Sequence, residues 1–121
     1  MTAATDQAAA ADRVLAALAD PTRRRIVELL GESPRTASEI HRVFPIANPA
    51  VSRHLRVLRD AGLISVTRPP EDTRIRLYRL DVERLEILNG WVAEVSHMWQ
   101  LQLDSFKDYV AHRSRGGGPA T

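Results

Sequence analysis

Apolar residues fall in short amphipathic runs along this chain, and the spacing changes character once near the middle and then changes back. Val14, Leu15 and Leu18 predict a first helix over about Ala9–Ala19. Asp20-Pro21 supplies a cap and a first-turn proline for a second helix, whose core face is Ile26, Val27, Leu29 and Leu30 before Gly31. Thr36, with Glu39 three residues on, predicts a capping box opening a third helix through Ile40, Val43 and Phe44. A tight turn, Pro45-Ile-Ala-Asn48, leads into a fourth helix over 48–61, with Asn48 as cap, Pro49 in its first turn and Gly62 as its left-handed stop. Leu63–Arg68 and Arg74–Leu80 are β-rich and joined by Pro69-Pro-Glu-Asp-Thr73, which reads as a hairpin. Asp81 then caps a long helical pattern reaching about His112, which Asn89-Gly90 is placed to interrupt. The expected domain spans 9–112, with disordered tails at 1–8 and 113–121.

The fourth helix carries the most information. Val51, Leu55 and Leu58 recur at i, i+4 and i+7 and share one face. Asn48, Ser52, Arg53, Arg56 and Arg59 fall largely on the other. Arginine grips guanine or phosphate with two parallel hydrogen bonds, and Ser and Asn bond base edges or backbone, so this face has the chemistry of a DNA-recognition helix. The last helix poses a different problem. Leu85, Leu88, Val92, Val95, Trp99, Phe106 and Val110 form one apolar strip, and Ile87, Trp91, Met98 and Leu101 a second. One small domain cannot cover both, which predicts a homodimer through this helix with help from the first.

Composition narrows the function classes. At 121 residues the chain is long enough for one domain with a modest core. A net charge of +2 does not argue for nucleic acid, but its distribution does: sixteen of the seventeen basic residues are Arg. Eight of them lie between Arg53 and Arg84 against five acids, whereas 85–112 holds four acids and Lys107. The charge is therefore split between a basic middle and an acidic final helix. The absence of cysteine excludes disulfides and thiolate metal sites and fits a reducing cytoplasm. The Ala-rich start lacks a basic region followed by a long apolar run, so it does not read as a signal peptide, and no run reaches the roughly 20 apolar residues of a membrane span. No nucleophile–base constellation or Gly-rich phosphate loop is present, which argues against an enzyme.

The order helix, helix, turn, recognition helix, hairpin, helix predicts a mainly α fold with a small β-hairpin wing, a winged helix-turn-helix. Ala17-Leu-Ala-Asp-Pro-Thr-Arg-Arg-Arg-Ile-Val-Glu-Leu-Leu30, Ser52-Arg-His-Leu-Arg-Val-Leu-Arg-Asp-Ala-Gly-Leu-Ile64 and Arg76-Leu-Tyr-Arg-Leu80 together resemble the ArsR/SmtB family of bacterial repressors over about Leu15–Val110. The resemblance implies a homodimer on inverted-repeat promoter DNA, often its own promoter, and many members release DNA on binding a metal or another inducer. It places Asn48, Pro49, Ser52 and Arg53 in the major groove and Arg56 on a phosphate. On the wing it places Arg68, Arg74 and Arg76 near the backbone or flanking minor groove, although Glu71 and Asp72 at the tip repel phosphate. The alternative readings are a winged-helix module that holds a protein partner, and a non-specific DNA-binding protein.

The family's two metal sites fit poorly. A cysteine pair on the third helix is replaced by Thr36-Ala-Ser-Glu-Ile-His-Arg-Val43. The site on the last helix maps in register onto Asp81, Glu83, Glu94 and His97, where glutamates stand for two of the family's histidines. Three carboxylates and one imidazole suit a harder ion than zinc or nickel, so no metal and no cofactor is expected. His41, His54 and His112 show no ligand spacing and read as packing or surface residues. Trp91, Met98 and Trp99 read first as dimer core and second as an effector pocket. The sequence names no inducer.

Overall fold

A computed structural model of the chain describes residues 3–116. Five helices and three short strands follow one another as α1 (Ala3–Ala17), α2 (Pro21–Glu32), β1 (Arg35–Thr36), α3 (Ala37–Val43), α4 (Asn48–Asp60), β2 (Ile64–Thr67), β3 (Leu77–Leu80) and α5 (Val82–Gly116). The chain divides into two compact units, one up to Leu88 and one from Asn89 onward. The first holds the core, in which Val14, Ile26, Ile40, Val51, Leu58 and Leu63 are fully buried. Leu85 and Leu88, at the start of α5, pack against that core.

Local chemistry sets most of the element ends. The Asp20 carboxylate accepts hydrogen bonds from the Thr22 and Arg23 backbone N–H groups at 2.8 and 3.1 Å, satisfying donors that the first turn of α2 leaves unpaired. At α3 the expected capping box is complete: the Glu39 N–H donates to Thr36 Oγ1, and the Thr36 N–H donates to the Glu39 carboxylate. Gly62 adopts φ +78° and closes α4. Its N–H donates to the Arg59 carbonyl at 2.9 Å and the Leu63 N–H to the Leu58 carbonyl at 3.0 Å, while Leu58 and Leu63 are both buried. A Cβ at this position would also lie 2.7 Å from Arg84 Nε, which that flexible side chain can relieve, so it is the positive φ that calls for glycine.

Several expectations need correction. The N-cap of α4 is Ala47, which makes no side-chain cap bond; Asn48 is the first helical residue. Its amide is therefore not used as a cap. α1 starts at Ala3 because Ala and Gln favour a helix even without an apolar stripe, so helix covers much of the stretch assigned to an N-terminal tail. At the other end α5 is helical through Asn89-Gly90 and on to Gly116, and the remaining C-terminal positions, 117–121, lie outside the described residues, as do Met1 and Thr2. Nor does Gly31 end α2, which continues to Glu32.

The wing is smaller and better anchored than a hairpin alone. β2 and β3 pair antiparallel with Ile64 opposite Leu80 and Thr67 opposite Leu77. The sequence did not suggest β1, which pairs with the other edge of β3 through Arg35–Tyr78 and Thr36–Leu77 and makes β3 central. Two residues carry too little periodicity to announce a strand. Arg68, Arg74 and Arg76 lie outside the paired strands, in the connection between them.

A candidate nucleic-acid interface

Helix α4 presents two faces of opposite chemistry. Val51, Leu55 and Leu58 are 0, 2 and 0% exposed and fix the helix against the core. On the other side Asn48, Pro49, Ser52, Arg53 and Arg56 are all exposed, and Pro49, Ser52, Arg53 and Arg56 line an open depression. Among the described residues, the side chains of Asn48, Ser52, Arg53 and Arg56 form no hydrogen bond within the protein. Two guanidinium groups held one turn apart on a rigid helix, with no internal partner, are donors left over for an external acceptor.

The three wing arginines differ from one another. Arg68 is exposed and donates through Nη1 to the Thr73 carbonyl at 2.8 Å, which ties the two limbs of the hairpin together. Arg74 is engaged in a two-point pair with Asp72, Nε to Oδ1 at 3.0 Å and Nη2 to Oδ2 at 3.1 Å. That guanidinium, with the Arg74 N–H, holds the Asp72 carboxyl below its usual range, and Asp72 raises Arg74 in turn. Half of the acidic tip is thus neutralised from within the wing, while the other acid, Glu71, stays exposed. Arg76 is exposed and makes no side-chain hydrogen bond among the described residues; its carbonyl accepts from the Ala37 N–H at 3.0 Å, which fixes its backbone.

The residues mapped onto the family's metal site are dispersed in role. Asp81 Oδ1 accepts from the Arg84 N–H at 3.3 Å and so caps α5. Glu83 is exposed in the first turn of α5, and Glu94 and His97 are exposed one turn apart farther along it. Among the described residues no three His, Asp or Glu side chains form a group able to hold a metal.

The comparisons with known proteins fit this arrangement. A helix-turn-helix domain model matches residues 18–67, the stretch from the end of α1 to β2. The HTH-type transcriptional regulator Rv2034 of Mycobacterium tuberculosis is 39% identical over 99 residues, 82% of this chain and 87% of that protein. The transcriptional repressor SdpR of Bacillus subtilis is 43% identical over 54 residues, 45% of this chain and 60% of its own. A solved ArsR-like transcriptional regulator from Rhodococcus sp. RHA1 superposes with a TM-score of 0.70 at 28% identity, covering 84% of this chain and 92% of that one. The chain belongs to the ArsR/SmtB family. It is a DNA-binding transcriptional regulator with a winged helix-turn-helix fold, and it lacks the cysteine motif of the family's metal sensors.

A further cluster has a role that the sequence did not disclose. In Asp20-Pro-Thr-Arg-Arg24 the acid caps α2 while both arginines turn back onto the preceding helix. Arg23 Nε and Nη2 donate to the Ala17 and Ala16 carbonyls, and Arg24 Nη1 donates to the Leu18 and Ala19 carbonyls. Arg23 therefore satisfies carbonyls that end α1, where the helix dipole favours a cation, and Arg24 those of the turn that follows. The available signal was the run of arginines directly after an Asp-Pro corner.

Proposed function

We propose that this ArsR/SmtB regulator is a cytoplasmic repressor that binds, as a homodimer, an inverted-repeat promoter site, its own promoter being the first to test. Helix α4 of each protomer lies in the major groove, with Ser52 and Arg53 reading base edges, Asn48 and Pro49 against the bases and Arg56 on a phosphate. The observation that carries this reading is the exposed set on α4, whose side chains have no hydrogen-bond partner among the described residues, opposite a fully buried stripe. On the wing Arg76 meets the DNA backbone, Arg68 contributes from the hairpin limb, and Arg74 contributes less because Asp72 holds it. The dimer supplies the second half-site, one helical turn away or a multiple of it, through the apolar residues of α5 with help from α1. Similarity to a relative named as a repressor supports the direction of control. No metal is assigned to Asp81, Glu83, Glu94 and His97, and no inducer is identified.

Fluorescence-anisotropy titration tests the reading, using the protein's upstream promoter duplex and a scrambled duplex across a salt series. Promoter-selective binding that loses about 1–3 kcal/mol in Arg53→Ala, with the scrambled duplex little changed, is the expected result. Equal, salt-labile binding to both duplexes, unaltered in the Ser52→Ala/Arg53→Ala variant, would favour a non-specific binder or a protein-interaction module. Repetition with divalent metals and with chelator tests the acidic α5 site.

A further inference from the structure

We propose that Arg23 is a positioning residue for the recognition helix, acting through His54; this rests on the reading that α4 contacts DNA. The half-buried Arg23 reaches three elements at once. Its own N–H is held by the Asp20 carboxylate at the start of α2, its Nε and Nη2 donate to the last carbonyls of α1, and its Nη1 lies 3.4 Å from His54 Nδ1 on α4. A guanidinium has donors only, so a hydrogen bond here takes the lone pair of Nδ1 as its acceptor. His54 follows Arg53 directly and lies two residues from both Ser52 and Arg56, on the flank between the buried stripe and the exposed face.

A helix moves as a rigid body. Whatever fixes His54 against the α1–α2 corner therefore fixes the roll of α4, and with it the approach of Ser52 and Arg53 to base edges. The buried stripe alone leaves some freedom, because apolar contact is not directional. Donors diverging in one plane toward two carbonyls and a ring nitrogen suit Arg, whereas a Lys ammonium is a point charge without that fork. Base readout depends on the roll of α4 far more than phosphate attraction does, so loss of this contact is felt in sequence selectivity first.

The test uses a duplex enriched from a random-sequence pool by the wild-type protein, and a scrambled duplex of the same composition. Anisotropy titrations compare His54→Ala, His54→Asn and Arg23→Lys with the combination His54→Ala/Arg23→Lys, and melting temperatures are recorded in parallel. Asn offers an acceptor oxygen near the place of Nδ1, so it is the conservative variant. The expected result is about tenfold weaker binding of the enriched duplex by His54→Ala, with the scrambled duplex unchanged and affinity restored by His54→Asn. The combination should be no weaker than the worse single variant, since both remove one contact. Equal weakening on both duplexes would show His54 to be a phosphate contact and overturn the proposal, as would additive losses or failure of Asn to rescue. If the wild-type protein enriches no duplex, the reading of α4 fails first, and this outcome is separate from the others.

Discussion

Helix α4 and the part of α5 beyond Asn89 both carry apolar residues at helical spacing, yet the fold treats them in opposite ways. In α4 the stripe of Val51, Leu55 and Leu58 is fully covered, and the exposed face is left to Asn48, Ser52, Arg53 and Arg56. In α5 Met98, Trp99 and Phe106 are 62, 62 and 64% exposed, and Trp91, Val92 and Val110 are exposed as well. One chain is therefore enough to orient the recognition helix. It does not satisfy the hydrophobic demand of the last helix, and large aromatic side chains left in water at regular spacing are what a subunit interface is made from. The proposed function divides reading and pairing between these two helices.

The sharpest way to break this contrast is to damage each helix in turn. Leu58→Ala removes a fully buried side chain from α4, and we expect a loss of about 2–5 kcal/mol in folding stability by denaturant titration, in dilute and concentrated protein alike. Trp99→Asp should leave the secondary structure of the chain intact while raising the dimer dissociation constant about a hundredfold, near 3 kcal/mol, by sedimentation equilibrium. Promoter affinity should fall with it. If Leu58→Ala were harmless, or if Trp99→Asp unfolded the chain without altering association, the division of labour would be wrong.

The wing gives a smaller test. Arg76→Ala should weaken every duplex alike and reduce the magnitude of the salt slope by about one per protomer, whereas Arg74→Ala should change it less because Asp72 already holds that guanidinium. Asp72→Asn should release Arg74 and steepen the slope. Equal effects from Arg74 and Arg76 would mean that the Arg74–Asp72 pair opens on DNA.

Smaller still is the cap on α2. Asp20→Ala should cost about 1 kcal/mol of stability. The bond from the Arg23 N–H, and then that from the Thr22 N–H, hold the Asp20 carboxyl below its usual range. The folded state then binds fewer protons than the unfolded chain between the two values, so the stabilisation is complete above the usual carboxylate range and is lost as pH falls through the lowered value. Bonds from Thr36 lower Glu39, and the Arg74 pair lowers Asp72, in the same sense. Melting temperature should drop on acidification below about pH 4, and Asp20→Asn should flatten part of that fall in a calorimetric pH series.

Much of this architecture was legible because its causes are local. The Asp20 and Thr36–Glu39 caps, the left-handed Gly62 and the two-faced α4 each depend on residues within one or two turns of one another. The shared exposure of Ser52, Arg53 and Arg56 was legible for the same reason, because their spacing is helical. Where expectation failed, the path of the backbone was the cause, at long range for β1 and within a turn for the others. β1 exists only because β3, some forty residues on, offers it an edge. The pairing of Arg74 with Asp72 depends on how the hairpin turns, and Asn48 gave up the cap to Ala47 through the backbone path of the turn before it.

By itself, then, the sequence determined where helices start and stop and which face of α4 is buried, since hydrogen-bond donors at a helix end and apolar periodicity are satisfied by near neighbours. Tertiary structure alone decided which charges remain free. Arg23 is used on carbonyls of α1, Arg24 on those of the turn after it and Arg74 on Asp72, whereas among the described residues the side chains of Arg53, Arg56 and Arg76 have no internal partner. A guanidinium has the same composition in either role, and only the chain folded around it determines whether an acceptor lies within reach.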